Sequence, residues 1–164
     1  MPVNILIADD HEVVRQGLRT ILKAKADWHI CGEAENGKEA VQLVAELRPD
    51  IVILDVTMPT MSGLEATEEI AKLRLNSRVL IFTMHDSGSL AKAVRKAGAR
   101  GCVLKSRASR DLIRAIEALL DGGTFWGPGL GAEAENSKPS EGSNFLLLRA
   151  FQCTRSAQLA ASLC

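Results

Sequence analysis

Apolar positions recur along this chain with two different periods. Ile5-Leu6-Ile7-Ala8 is a continuous apolar run, the pattern of a strand buried on both faces. After Asp10 the spacing becomes helical. Val13, Val14, Gly17, Leu18, Ile21 and Leu22 fall on one side, with Glu12, Arg15, Gln16, Arg19 and Lys23 between them. His29 to Ala34 predicts a second, more exposed strand. Asn36-Gly37 predicts a turn into a helix carrying Ala40, Val41, Leu43, Val44 and Leu47, closed by Pro49. The unit then repeats. Ile51 to Leu54 predicts the most apolar strand, ending at Asp55, and a loop with Met58-Pro59 and Gly63 leads into a helix through Leu64, Thr67, Ile70, Ala71 and Leu73. Val79 to Phe82 predicts a fourth strand ending at Thr83, and Ser89 to Ala97 a helix stopped at Gly98. Cys102 to Leu104 predicts a fifth strand ending at Lys105. Ile113, Ile116, Leu119 and Leu120 mark a last helix, ended by Gly122-Gly123.

Five strands alternating with five helices predict an α/β domain over residues 1–126, with a parallel sheet covered on both faces. The first and third strands are the most apolar and belong at the centre. That favours the flavodoxin-like, doubly wound strand order 2-1-3-4-5. Residues 127–144 are rich in Gly, Pro, Ser and Glu, the composition of a flexible linker. Residues 145–164 are apolar again but too few to build a core, and are expected to form a short tail, helical or disordered.

Composition narrows the function. The 164 residues are 46% hydrophobic with a formal net charge of +0. No basic surplus points to direct nucleic-acid binding, and no cationic block to a membrane surface. Asp9 breaks the first apolar run too early for a secretion signal, and no run approaches the roughly 20 residues of a membrane span. A cytoplasmic location is expected. Cys31, Cys102, Cys153 and Cys164 lie far apart without metal-ligand spacing and read as thiols in a reducing compartment.

The chemistry gathers at the strand ends. In open α/β sheets ligands bind beyond the carboxyl ends of the strands, near the reversal in strand order. Strand one delivers Asp9 and Asp10, strand three Asp55, strand four Thr83 and strand five Lys105. Clustered carboxylates repel unless a cation joins them, and an oxygen-rich site that leaves room for water suits Mg²⁺. Asp55, central on the sheet edge, can act as a carboxylate nucleophile toward a phosphoryl group. Lys105 supplies a point charge for one phosphoryl oxygen, and Thr83 a hydroxyl for another. Simpler roles compete: either Asp9 or Asp10 can cap the first helix, and Thr83 and Lys105 singly are ordinary strand-end residues. His85 reads as an exposed loop residue, and His11 as solvated surface, with a place at the rim of the site as the alternative.

These residues, in DDHEVVRQGL, DIVILDVTMPTMSGLEA, VLIFTMHD and GARGCVLKS, give the chain a resemblance to the receiver domains of bacterial two-component response regulators, most similar to the NarL/FixJ subfamily. The resemblance implies that Asp55 accepts a phosphoryl group from a sensor histidine kinase. It implies Mg²⁺ held by Asp10, Asp55 and the Thr57 backbone carbonyl, with Asp9 acting through water. Thr83 and Lys105 would engage the phosphoryl oxygens and reshape the face of the fourth helix, fifth strand and fifth helix, switching protein contacts. Homodimerisation through the helices and an unknown downstream protein partner follow from the same likeness. So does the absence of dedicated enzyme activity beyond self-phosphorylation and self-dephosphorylation.

Three departures from that pattern stand out. Cys102 occupies a position usually aromatic, Ser106 follows Lys105 where proline is common, and nothing after Gly127 resembles a helix-turn-helix output domain. Cys102 and the tail keep one alternative open, a pseudo-receiver acting as a constitutive interaction module, against which the intact acidic site counts. A haloacid-dehalogenase type phosphatase ranks lower, because Thr57 stands where that chemistry needs a second aspartate.

Overall fold

The computed structural model describes residues 1–131. Within them the chain forms β1 (Val3–Ala8), α1 (Glu12–Leu22), β2 (Trp28–Ala34), α2 (Gly37–Leu47), β3 (Ile51–Asp55), α3 (Gly63–Lys72), β4 (Arg78–Thr83), α4 (Gly88–Ala97), β5 (Gly101–Leu104), α5 (Ala108–Leu120) and β6 (Phe125–Trp126). A single turn of 3-10 helix, Lys105–Arg107, joins β5 to α5. The tail expected at 145–164, and all but the first residues of the expected linker, lie outside the described residues.

Parallel pairing gives one sheet in the order β2-β1-β3-β4-β5-β6. The expected order of the first five strands holds; the expected count of five is corrected to six. β6 was illegible because two residues carry no period and follow a glycine pair. It is set by pairing instead, with Gly101 opposite Phe125 and Cys102 opposite Trp126. The chain continues against the domain for a few more residues: Gly127 donates to the Cys102 carbonyl at 3.0 Å, and Leu130 is buried.

Alternation along the strands divides the core. Leu6, Val52, Leu54, Val79 and Ile81 face Ala40, Val44, Ala66, Ile70, Ala91 and Val94 of α2, α3 and α4. Ile5, Ile7, Ile51, Ile53, Leu80 and Val103 face Leu18 and Leu22 of α1 and Leu112, Ala115, Ile116 and Leu119 of α5. A strand apolar on both sides has no polar alternation, which is why its sequence reads as a continuous run. Local signals place the helices: Asn36 accepts from the Glu39 N–H at 2.8 Å, Ser62 and Glu65 form a reciprocal capping box, and Ser87 caps α4. The strand order reverses between β1 and β3, so the residues leaving those two strands flank the crevice.

Candidate functional site

Asp9 and Asp10 follow β1 immediately. Neither caps α1: His11 is the N-cap residue, with no side-chain cap bond. Asp9 Oδ1 instead accepts the His11 backbone N–H at 2.9 Å, and its main-chain N–H donates to the Ala34 carbonyl of β2 at 3.1 Å. Asp9 is 1% exposed, whereas the Asp10 side chain is 31% exposed. The carboxylates that look equivalent in sequence thus face different media.

Asp55 is the last residue of β3 and is buried. The loop beyond it is pinned by close backbone approach. Gly63 donates to the Val56 carbonyl at 2.8 Å, and a Cβ on Gly63 would lie 2.0 Å from the Asp55 carbonyl oxygen, so only glycine fits. Gly37 donates to the Met61 carbonyl at 3.0 Å, holding the far end of the same loop. Thr57 is exposed within it, and its backbone favours the ionised form of Asp55.

Lys105 comes from the end of β5. Its Nζ lies 2.6 Å from Asp9 Oδ2, 3.3 Å from Asp55 Oδ2 and 5.9 Å from the centre of the Phe82 ring. Burial pushes the Asp55 carboxyl above its usual range; Lys105 pulls it down, and Asp9 adds to the rise. Thr83 is buried one register step beyond Asp55's partner Phe82, and its hydroxyl accepts the His85 N–H at 3.1 Å.

Ligand atoms of Asp9, Asp10, His11 and Asp55 lie within 4.8 Å of one another. His11, read from sequence as solvated, has a largely exposed ring, yet its Nδ1 sits 3.1 Å from Asp9 and 3.0 Å from Asp10. His85 is exposed and takes no part in this cluster. Three carboxylates against one ammonium leave two negative charges, the deficit a divalent cation fills. The acidic cluster can therefore bind a metal, and its donor set fits a hard cation.

A second group of charges was not legible. Arg15 is buried in the first turns of α1, and its Nη1 donates to the Asp9 carbonyl at 2.6 Å. Arg15 also bonds Glu12, Glu33 and Glu35, while Arg19 bonds Glu12 and Glu33. The only sequence signal was the Glu12-to-Arg15 spacing of three; Glu33 and Glu35 come from β2 and the turn after it. Of the departures, Cys102 is fully buried, with its thiol pushed up to about 12 by burial. Among the described residues no peptide bond is cis, so the Lys105–Ser106 bond is trans.

Comparison with known proteins agrees with this geometry. The response regulator receiver domain family matches residues 5–117. The oxygen regulatory protein NreC of Staphylococcus epidermidis is 41% identical over 124 residues, covering 75% of this chain and 57% of NreC. The transcriptional regulatory protein YdfI of Bacillus subtilis is 40% identical over 124 residues, covering 76% of this chain and 58% of YdfI. A LuxR-family two-component response regulator from Aurantimonas superposes with a TM-score of 0.77 at 38% identity, over 81% of this chain and 95% of that one. The isolated receiver domain of Salmonella enterica RcsB, solved with the phosphomimetic BeF3⁻, gives 0.74 at 27% identity, over 80% of this chain and 98% of that one.

The chain belongs to the response regulator receiver domain family, and its described residues are a receiver domain of a two-component response regulator of the NarL and LuxR kind. It spans just over half the length of the curated relatives it matches. The pseudo-receiver alternative finds no support: carboxylates, lysine and threonine are all in place. Among the described residues no helix is long and apolar enough to cross a membrane.

Proposed function

We propose that Asp55 is the phosphoacceptor. The observation that carries this is the placement of Lys105 between Asp9 and Asp55 in a buried site two negative charges out of balance. An Asp55 carboxylate oxygen attacks the phosphorus of a phosphohistidine on a sensor kinase. The new O–P bond forms as the N–P bond breaks, and the imidazole leaves with the electron pair. Asp10, Asp55 and the Thr57 carbonyl would hold Mg²⁺, with Asp9 reaching it through water. Bound there, Mg²⁺ neutralises phosphoryl oxygens as charge builds on them.

Lys105 then shifts its weight from Asp9 toward the phosphoryl oxygens. The Thr83 hydroxyl gives up its role as acceptor for the His85 N–H and donates to a phosphoryl oxygen instead. Because Thr83 leads into the loop before α4, that exchange carries the change to the α4 and β5 face. Output runs through protein contacts there, including pairing of two copies. The chemistry is phosphoryl acceptance and loss at Asp55.

The test is Mg²⁺-dependent uptake of labelled phosphate from a small phosphodonor. Hydroxylamine-labile label that disappears with chelator and in Asp55→Asn supports the reading. A folded protein that takes no label from donor or kinase overturns it.

A further inference from the structure

Arg15 is the most buried cation among the described residues that lies outside the constellation at the strand ends, at 6% exposure. Burying a guanidinium is costly unless its donors are met, and here they are met in a specific way. Nη1 donates to the Asp9 carbonyl at 2.6 Å, Nε to Glu33 at 3.1 Å and Nη2 to Glu35 at 3.1 Å, with Glu12 beside it. The Asp9 carbonyl belongs to the peptide that joins Asp9 to Asp10. The other side of Asp9 is held by β2, through its N–H to the Ala34 carbonyl at 3.1 Å. Glu33, which Arg15 grips, is the neighbour of Ala34 on that strand. Arg15 and β2 thus clamp the backbone of Asp9 from both directions, at the start of a helix that has no side-chain cap.

From this clamp we infer that Arg15 is a positioning residue for the cation site: it fixes the Asp9–Asp10 peptide and thereby aims both carboxylates. The inference rests on the reading of Asp9, Asp10 and Asp55 as a divalent-cation site. Groups that orient metal ligands without touching the metal commonly matter 10- to 100-fold in affinity, by order of magnitude. The sign of the effect separates positioning from field. Deleting a nearby positive charge should by Coulomb's law tighten a cation site. Deleting a positioning residue should loosen it.

The experiment is calorimetric titration of the full chain with Mg²⁺, using wild type, Arg15→Met, Arg15→Lys and Arg19→Met, with thermal melts alongside. Arg19 shares Glu12 and Glu33 with Arg15 but makes no bond to Asp9. Arg15→Met should bind Mg²⁺ about tenfold more weakly, against the electrostatic trend, and Arg19→Met should bind as tightly as wild type or more so. Arg15→Lys keeps the charge but cannot reach the carbonyl and Glu33 together, and should fall between. If Arg15→Met does not fold, a threefold or greater loss in folded Arg15→Lys supports the proposal and an unchanged affinity overturns it. Arg15→Met binding as tightly as wild type overturns it, as does an equal loss in Arg19→Met. Wild type that binds no Mg²⁺ overturns the cation-site reading itself, a separate failure.

Discussion

Lys105 sits closer to Asp9 than to Asp55, at 2.6 Å against 3.3 Å, so its ammonium is committed to the carboxylate after β1 before any phosphoryl group arrives. Asp9 is almost wholly buried, so losing its partner would leave an uncompensated charge in the interior. Lys105→Met leaves three carboxylates facing one another. In chelator the variant should lose about 3 kcal/mol of stability, as when one partner of a buried ion pair is removed. Mg²⁺ should restore much of that loss, since a divalent cation replaces the missing charge. Urea denaturation with and without Mg²⁺ measures both; equal destabilisation in the two buffers would contradict the charge balance described.

The Asp55 carboxyl is held above its usual range chiefly by burial, which fixes a sign for pH dependence. A carboxyl whose pKa is raised by folding binds more protons folded than unfolded. Its contribution to stability is therefore present at low pH and is lost as pH rises through the folded value. Asp55→Asn removes that cost. In divalent-free buffer the variant should be the more stable protein at neutral pH, and the difference should shrink as pH falls toward the ordinary carboxylate value of 3.8. Melting curves across that window check it; a neutral-pH loss in Asp55→Asn would mean that Lys105 outweighs burial.

Two glycines make a matched pair. A Cβ on Gly63 would meet the Asp55 carbonyl oxygen at 2.0 Å, while one on Gly88 would meet nothing within 4 Å. Gly63→Ala must move backbone next to Asp55 and should cost roughly 3 kcal/mol, the upper range for overpacking, together with most phosphoryl uptake. Gly88→Ala, in the first turn of α4, should gain a few tenths to about 1 kcal/mol by restricting the unfolded chain. Thermal denaturation of the two variants side by side distinguishes local strain from general sensitivity to added bulk.

What the sequence disclosed follows from how each feature is encoded. The apolar runs at 5–8 and 51–54 announced central strands because burial on both faces leaves no room for polar alternation. Asp9, Asp10, Asp55, Thr83 and Lys105 were legible because each interrupts or ends such a run. β6 left no signal, since its two residues are placed by hydrogen bonds to β5. The Arg15 cluster was hidden for a related reason. Its partners on β2 depend on the β1–β2 register, which shifts between Ile5 and Leu6 before bringing Glu33 opposite Ile7. The His11 ring is solvent-exposed, as its position suggested, and it also stands at the rim, with Asp9 and Asp10 at its edge.

The central claim is that Asp55 carries the phosphoryl group, and site mapping tests it most directly. Wild-type protein treated with Mg²⁺ and a small phosphodonor is reduced with borohydride, which converts an aspartyl phosphate to homoserine, then digested and sequenced by mass spectrometry. The account predicts homoserine at position 55, dependent on Mg²⁺ and absent from Asp55→Asn. Modification at Asp9 or Asp10 instead, or none in folded protein, would contradict it.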